Sequence, residues 1–359
     1  MTPFPIGPPG SPGQPLTRNE TLRGRPSILA GIEPKERPGL YMRLDRAKDD
    51  LIPPCTYHAP KGLSRMSSIS RRTMLKSTIA GTAIASSSPL SWSQEKAQSS
   101  PESPTPRKGN IRQSVSRWCY AKMSLDELCA YSAQIGLKGV DLLEVADFET
   151  PKKYGLICTM GYVGGGSIAD GLNSIANHDK IVQGLTTNIP LAAKAGVPNV
   201  ITFSGNRHGM PDEEGAKNTI IGLNRIKKIA EDNNVVVNLE LLNSKVNHKD
   251  YMADHTAWGV AVMKEVNSSH VKLLYDIYHM QIMEGDLIAT IQANIQWLGH
   301  FHTGGVPGRH ELNNTQEVQW DGVMRGIVAS GFKGYVAHEF VPTGDPRASL
   351  LQAVDLCDV

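Results

Sequence analysis

Short apolar runs alternate with amphipathic segments over residues 111–359. Eight of these runs are rich in β-branched residues, a pattern that is typical of strands buried on both faces of a parallel sheet. The eight predicted strands span residues 111–118, 139–144, 155–161, 199–205, 235–242, 271–279, 297–304 and 335–341. The spacing between them leaves room for one helix after each strand.

Most of the intervening segments have apolar residues at helical spacing. One opens with Ser124 and has Glu127 three residues later, which predicts a capping box. Two long helical segments are expected to end before Gly196 and before Asn233-Asn234. The segment VADFETPKKY, after the second strand, is too short for a full helix. This alternation over about 250 residues predicts a (β/α)8 (TIM) barrel for residues 111–359.

A doubly wound parallel sheet is the competing fold. It would place a glycine-rich phosphate loop after the first strand, and IRQSVSRWCYAKMS contains none. The glycine-rich segment GYVGGGS at residues 161–167 lacks both the G-x-G-x-x-G spacing and a lysine. We therefore interpret it as an active-site loop that follows the third strand of a barrel.

The first 110 residues differ in composition from the rest of the chain. Residues 1–65 are rich in Pro, Gly and Arg, lack apolar periodicity and are predicted to be disordered. Residues 66–94 combine a basic start, a weakly apolar stretch and small residues, and the pair Arg71-Arg72 resembles a twin-arginine signal. Residues 95–110 are predicted to be a polar linker.

A twin-arginine-type signal predicts export of the folded protein to the periplasm. The alternative is a cytoplasmic protein in which Arg71-Arg72 is a chance basic pair. Because such signals lie at a terminus, we expect Met66 to be the natural start and residues 1–65 to come from an overextended gene start.

Charge and cysteine usage exclude several classes of protein. Residues 1–109 hold 16 Lys+Arg and 8 Asp+Glu, whereas residues 110–359 hold 21 and 27, so the predicted barrel is acidic. An acidic domain argues against nucleic-acid binding. No apolar stretch is long enough to predict a transmembrane helix. The five cysteines form no C-x-x-C pair, which argues against a disulfide framework or structural zinc site.

Four predicted strands end in side chains that bind metals. These are Glu240, Asp276, His302 and Glu339, at intervals of 36, 26 and 37 residues. Because the carboxyl ends of barrel strands meet at one face, we expect the four side chains to converge. A divalent cation would stabilise three carboxylates held so close together. The oxygen-rich set favours Mn or Mg over Co or Zn.

Other polar residues are predicted to surround this cluster. His279 follows Asp276 by three residues, so its side chain faces away from Asp276 or lies in the loop above the site. His300 shares a strand face with His302. Arg309 lies in a loop after the seventh strand, where its guanidinium is able to bind a carboxylate or hydroxyl groups.

The motifs in this region resemble those of the xylose isomerase-like barrel superfamily. The resemblance rests on D-x-x-H at Asp276–His279, H-x-H followed by P-G-R at residues 300–309, and Glu339, and it extends over residues 111–345. Hydroxypyruvate isomerases are the most similar members, with ketose 3-epimerases as relatives. The resemblance implies that Glu240, Asp276, His302 and Glu339 bind the metal. The strand-seven ligand tends to be Gln in hydroxypyruvate isomerases, and the first three strands match less well.

The resemblance also implies a reaction. An aldose–ketose isomerase moves a proton between neighbouring carbons through a cis-enediolate, whose charge a divalent metal stabilises as a Lewis acid. Glu240 and Glu339 are the expected base and acid. His279 would polarise a substrate oxygen, and Arg309 would bind the far end of a small sugar or hydroxy-keto acid.

Three other functions remain open at the level of the sequence. A ketose 3-epimerase would use the same four ligands and the same D-x-x-H motif. An endonuclease-like member of the superfamily would hold three zinc ions, and would need more ligands and a basic DNA-binding face. A non-catalytic barrel that binds a sugar is the third alternative. Homo-oligomer formation is an expectation from analogy with other barrels of this type.

Overall fold

The computed structural model describes residues 106–359. The predicted disordered extension at residues 1–65, the predicted signal at 66–94 and most of the predicted linker at 95–110 lie outside the described residues, so they stay predictions. Among the residues that are described, no helix is long and apolar enough to cross a membrane.

Eight parallel strands form a closed barrel, and β8 pairs with β1 to close it. The strands are β1 (Arg112–Ser116), β2 (Gly139–Glu144), β3 (Ile157–Tyr162), β4 (Asn199–Thr202), β5 (Val236–Leu241), β6 (Val271–Asp276), β7 (Leu298–Thr303) and β8 (Tyr335–His338). The predicted (β/α)8 barrel is therefore confirmed. Each strand overlaps its predicted segment, and most are shorter than that segment.

Helices surround the barrel. They are α1 (Leu125–Gln134), α2 (Ile175–Ala195), α3 (Asp212–Asn233), α4 (Thr256–Val266), α5 (Ile277–Met283), α6 (Leu287–Asn294), α7 (Trp320–Ala329) and α8 (Pro346–Cys357). The capping box predicted at Ser124 and Glu127 is present at the start of α1. Gly196, with φ +75°, ends α2 as predicted, and Asn234, also left-handed, ends α3 one residue later than predicted.

Two units depart from a regular alternation of one strand and one helix. After β2 the chain forms only short 3-10 turns, Val145–Asp147 and Thr150–Tyr154, in agreement with the weak helical pattern there. After β6 it forms two α-helices, α5 and α6.

The predicted strand over residues 271–279 is wrong beyond Asp276. The chain turns there into α5, and the Asp276 carboxylate accepts a hydrogen bond from the backbone N–H of His279 at 3.3 Å. Ile277, Tyr278 and Met280 of α5 are buried, so the start of this short helix has the apolar composition of a buried strand. The aspartate cap decides between the two structures.

The strand register places the ends of β5–β8 at one level. Asp276 pairs with His302, and Glu240 pairs with Leu274 on the neighbouring strand. The backbone N–H of Glu339 donates to the carbonyl oxygen of Thr303 at 3.0 Å, which places Glu339 directly beyond the end of β8. The barrel therefore holds these side chains on a rigid set of neighbouring strands.

Four cysteines fall within the described residues, and all are free thiols: Cys119, Cys129, Cys158 and Cys357. Cys119 is half-buried and the other three are buried. The three buried thiols act as small apolar residues of the core.

Candidate active site

Four side chains from the carboxyl ends of β5–β8 meet at one end of the barrel. They are the predicted metal ligands Glu240, Asp276, His302 and Glu339, and one ligand atom of each lies within 4.8 Å of the others. Asp276 and His302 are fully buried, and each glutamate is 5% exposed. Carboxylates packed so closely and away from water repel one another unless positive charge lies among them.

The imidazole of His302 lies between carboxylates on both sides. Its Nδ1 is 2.6 Å from Glu339 Oε2 and 3.2 Å from Glu240 Oε1. Its Nε2 is 2.8 Å from Asp141 Oδ2. Burial alone would lower the pKa of His302, but the surrounding carboxylates, Glu339 first among them, hold it well above its ordinary value.

Arg309 brings a second positive charge to the cluster. Its Nη2 donates to Asp276 Oδ2 at 2.6 Å and also to Glu339 Oε2. Its Nη1 lies 2.9 Å from His279 Nε2, and its guanidinium packs over the ring of Tyr278 with 4.9 Å to the ring centroid. Arg309, which was predicted to bind substrate, thus also pairs with two of the four candidate metal ligands, Asp276 and Glu339.

The two glutamates differ in their electrostatic surroundings. Burial, opposed by a hydrogen bond from His302, raises the pKa of Glu240 to about 7. Glu339 is equally buried, but the Arg309 guanidinium and the His302 imidazole lower its pKa below the ordinary range. Two neighbouring carboxyl groups with opposite pKa shifts are a common arrangement in acid–base catalysis.

The donor set fits a divalent cation. Three carboxylates and one imidazole offer four ligand atoms within 4.8 Å, and oxygen-rich sets of this kind suit Mn²⁺ or Mg²⁺. A histidine that binds a metal usually donates its other ring N–H to a carboxylate, and His302 has Asp141 in that position.

His279 lies beside this cluster at the start of α5. The backbone N–H of Asn243 donates to its Nδ1 at 3.1 Å, and the Nη1–H of Arg309 points at its Nε2 at 2.9 Å. Burial and the Arg309 charge hold the pKa of His279 well below its ordinary value, so the ring is neutral. Both His279 and Arg309 line the pocket, so this contact places the imidazole and the guanidinium side by side in its wall.

A pocket of about 380 Å³ opens above the cluster. Its polar lining includes Glu240, His279, Arg309 and Glu339. Its apolar walls come mainly from the first half of the barrel, which supplies Trp118, Leu142, Tyr162, Ile168 and Phe203, and Leu242 after β5 adds one more apolar side chain. Tyr162 belongs to the segment GYVGGGS, the predicted active-site loop, and Ile168 directly follows that segment.

Two residues of the site were missing from the sequence-based prediction. Trp118 follows β1, and its Nε1–H donates to Glu339 Oε1. Asp141 is a fully buried charge within the apolar strand β2. Asp141 could have been found from the sequence, because it is a charged residue in the middle of the apolar strand GVDLLE. No sequence pattern distinguishes Trp118 from an ordinary aromatic residue at the end of a strand.

The sequence resembles proteins of known activity. The hydroxypyruvate isomerase of Escherichia coli (strain K12) is 33% identical over 113 residues, which are 31% of this chain and 43% of that protein. The D-psicose 3-epimerase of Enterocloster bolteae is 26% identical over 201 residues, which are 52% of this chain and 64% of that protein. The chain spans less than two thirds of the length of these and other curated relatives that it matches.

The fold also resembles solved structures. An AP endonuclease, family 2, from Brucella melitensis superimposes with a TM-score of 0.61 at 22% sequence identity, over 68% of this chain and 97% of that one. This likeness concerns the fold. Residues 150–357, more than half of the chain, match the family described as Xylose isomerase-like TIM barrel. Together with the closed eight-stranded barrel, this match shows that the chain belongs to the xylose isomerase-like TIM barrel family.

Proposed function

We propose that this protein is a metal-dependent isomerase that interconverts the aldose and ketose forms of a small sugar or hydroxy-keto acid, with hydroxypyruvate as the model substrate. One observation carries the proposal: two glutamates converge with an aspartate and a histidine at the floor of one pocket. The reaction needs a base and an acid close to the same two carbons, and this floor supplies both.

Glu240, Asp276, His302 and Glu339 would hold the cation, with Mn²⁺ or Mg²⁺ preferred to Co²⁺ or Zn²⁺. The bound cation would act as a Lewis acid that stabilises the negative charge of the enediolate. Asp276 and His302 are fully buried and lie deeper than the two glutamates, which line the pocket. This division supports Asp276 and His302 as anchors and leaves the glutamates to face the substrate.

Glu240 and Glu339 are the proposed acid–base pair. One carboxylate removes the proton from the carbon beside the carbonyl group, which gives a cis-enediolate. The second carboxyl group returns a proton to the neighbouring carbon. The hydroxyl proton passes from its oxygen to the former carbonyl oxygen, and the carbonyl group thereby moves by one position. Glu240 belongs to β5 and Glu339 follows β8, so the two groups approach the substrate from different strands of the barrel.

His279 and Arg309 are the proposed substrate-binding pair. The neutral imidazole of His279 would polarise a substrate oxygen, and the adjacent Arg309 guanidinium would bind the far end of the substrate. The Nε of Arg309 is buried and has no hydrogen-bond partner among residues 106–359, so a substrate oxygen could satisfy it.

A ketose 3-epimerase is the second candidate, and the pocket itself favours it. Arg309 is the only arginine or lysine among the described residues that line the pocket, and it already pairs with Asp276 and Glu339. Little positive charge is left for a substrate carboxylate. The apolar walls and the volume of about 380 Å³ also suit the C–H faces of an uncharged sugar larger than hydroxypyruvate.

Proton exchange distinguishes the candidates. The Mn²⁺- or Mg²⁺-loaded protein is incubated in deuterated water with hydroxypyruvate and with a panel of ketoses, and NMR locates each new C–D bond. An isomerase moves the carbonyl group, whereas a 3-epimerase leaves it in place and exchanges the proton at C3. A protein that binds these compounds without any exchange would be a sugar-binding barrel, and the proposal would be wrong.

A further inference from the structure

We infer that Asp141 is a positioning residue: its carboxylate fixes the imidazole of His302 so that Nδ1 faces the other three candidate metal ligands. The inference rests on the proposed metal site but not on the identity of the substrate. Asp141 belongs to β2, whereas the four candidate ligands come from the ends of β5–β8. It does not line the pocket.

The carboxylate of Asp141 is fully buried and each of its oxygens has a defined neighbour. Oδ2 lies 2.8 Å from His302 Nε2. Oδ1 accepts a hydrogen bond from the Thr159 hydroxyl at 2.6 Å and lies 3.2 Å from His300 Nε2. The His300 contact lacks hydrogen-bond alignment, because neither ring nitrogen of His300 has an aligned partner among residues 106–359. The Thr159 hydroxyl therefore holds the Asp141 carboxylate in the orientation in which Oδ2 contacts Nε2 of His302.

An irregularity of β2 directs Asp141 into the barrel. The register with β3 shifts between Val140 and Asp141 and again between Asp141 and Leu143. Leu142 has a φ of +59°, a left-handed conformation that is unfavourable for a branched side chain. Bulges of this kind redirect side chains, and strained backbone is concentrated at functional sites. Here the bulge brings Asp141 below His302 while Leu142 lines the pocket.

The contact has a chemical consequence for His302. When Nε2 carries the ring proton and donates it to Asp141, Nδ1 keeps a free lone pair. Nδ1 lies 3.2 Å from Glu240 Oε1 and 2.6 Å from Glu339 Oε2, so a cation held by these carboxylates would replace the Nδ1 proton and meet that lone pair. A carboxylate behind a metal-binding histidine fixes the ring and increases the basicity of the ligating nitrogen.

The test compares Mn²⁺ binding by the full chain and by an Asp141→Asn variant, using calorimetric titration without substrate. The expected result is one Mn²⁺ per wild-type chain and an affinity about 10- to 100-fold lower in the variant. The asparagine amide can donate to Nε2, and this favours the tautomer in which Nδ1 carries the proton and cannot bind a cation. Ring ¹⁵N chemical shifts of His302 in the Mg²⁺-loaded protein should show the proton on Nε2 in the wild type.

Asp254→Asn is the matched control. Asp254 is also a buried carboxylate, and it pairs with Arg207 at 3.1 Å away from the candidate ligands. Its substitution should leave Mn²⁺ affinity unchanged. If Asp141→Asn does not fold, Thr159→Val keeps the charge of Asp141 and removes one hydrogen bond, and the affinity should fall about fivefold.

Three results would overturn the inference. Wild-type Mn²⁺ affinity in Asp141→Asn would refute the positioning role and leave the metal site intact. If only Thr159→Val folds, wild-type affinity in that variant has the same meaning. Two Mn²⁺ per wild-type chain, with one lost in Asp141→Asn, would make Asp141 a ligand of a second cation. A wild-type protein that binds no divalent cation would overturn the metal site and this inference together.

Discussion

The two halves of the barrel contribute different things to one pocket. Strands β5–β8 and their loops supply the four candidate ligands and the proposed substrate-binding pair, His279 and Arg309. Strands β1–β4 and their loops supply most of the apolar walls. The second half therefore carries the groups that move protons and hold charge, whereas the first half determines which molecules fit above them.

The division is incomplete, and the exceptions show how the halves are linked. Trp118 donates a hydrogen bond to Glu339, and Asp141 contacts His302. Both residues act on a group from the second half. The first half thus holds the reacting groups of the second half in position. We therefore expect substitutions in the first half to weaken the site without abolishing its activity.

The largest effect is expected from Glu240→Gln in the second half. The amide keeps the size of the side chain but cannot transfer a proton, so turnover should fall by about 10²- to 10⁴-fold with little change in KM. Steady-state kinetics with confirmed Mn²⁺ occupancy measures this effect. Glu144→Gln is the control, because Glu144 ends β2 in the first half, is exposed and does not line the pocket. Near-full turnover of Glu240→Gln would refute the acid–base assignment.

A smaller effect is expected from Arg309→Lys. Lysine keeps the charge, but its ammonium lacks the planar fork with which Arg309 binds Asp276 and Glu339 through Nη2 and presents Nη1 and Nε to other groups. Loss of one charged hydrogen bond should lower kcat/KM by about 10- to 100-fold. Arg325→Lys is the control, since its exposed pairing with Asp321 lies on α7. Equal kcat/KM in both variants would show that the fork geometry of Arg309 is unimportant.

In the first half, Trp118→Phe should have a milder effect on kcat/KM. Phenylalanine keeps an aromatic wall and removes the N–H that donates to Glu339, so a loss of about threefold to tenfold is expected for one partly exposed hydrogen bond. Trp258→Phe removes a similar bond, to the Asp212 carbonyl oxygen at 3.1 Å, away from the pocket. If Trp118→Phe reduces kcat/KM as strongly as Glu240→Gln, the division between the two halves is wrong.

The smallest effect is expected from Glu311→Gln, which should change stability and not turnover. Burial would raise the pKa of Glu311. Hydrogen bonds from backbone N–H groups, including those of Thr343 and Gly344, outweigh burial and lower the pKa to about 2. The variant should lose about 1 kcal/mol of unfolding free energy at neutral pH. Because the folded-state pKa is depressed from 4.5 to about 2, the wild-type advantage is complete above pH 4.5 and disappears as the pH falls through 2.

Urea unfolding of the wild type and Glu311→Gln at pH 7 and at pH 3 measures this effect. A constant difference between the two proteins over that range would contradict the contribution of the Glu311 carboxylate.

Much of the second half of the site follows from the sequence. Glu240, Asp276, His302 and Glu339 end apolar runs spaced by one strand and one helix, and parallel strands bring such ends together. The pairing of Arg309 with Asp276 and Glu339 was beyond sequence patterns, because the loop that carries Arg309 has no periodicity that fixes its direction.

The first half was harder to predict for physical reasons. Side chains of a regular strand alternate between its two faces, and the bulge in β2 interrupts this alternation. Asp141 therefore contacts His302 while its neighbour Leu142 lines the pocket, an arrangement that regular alternation does not predict. The first three residues of α5, Ile277–His279, were predicted as strand because buried apolar residues are common to both structures. Local sequence patterns describe single elements, whereas these features depend on contacts between elements distant in the chain.

Deuterium incorporation into substrate tests the central claim most directly, namely that the glutamates of the second half exchange a substrate proton at a metal-dependent site. The wild-type protein with Mn²⁺ should place deuterium on the carbon beside the carbonyl group of hydroxypyruvate or a ketose, and chelation of the cation or Glu240→Gln should abolish this exchange. Exchange that persists at the wild-type rate after chelation, or in the Glu240→Gln variant, would contradict it.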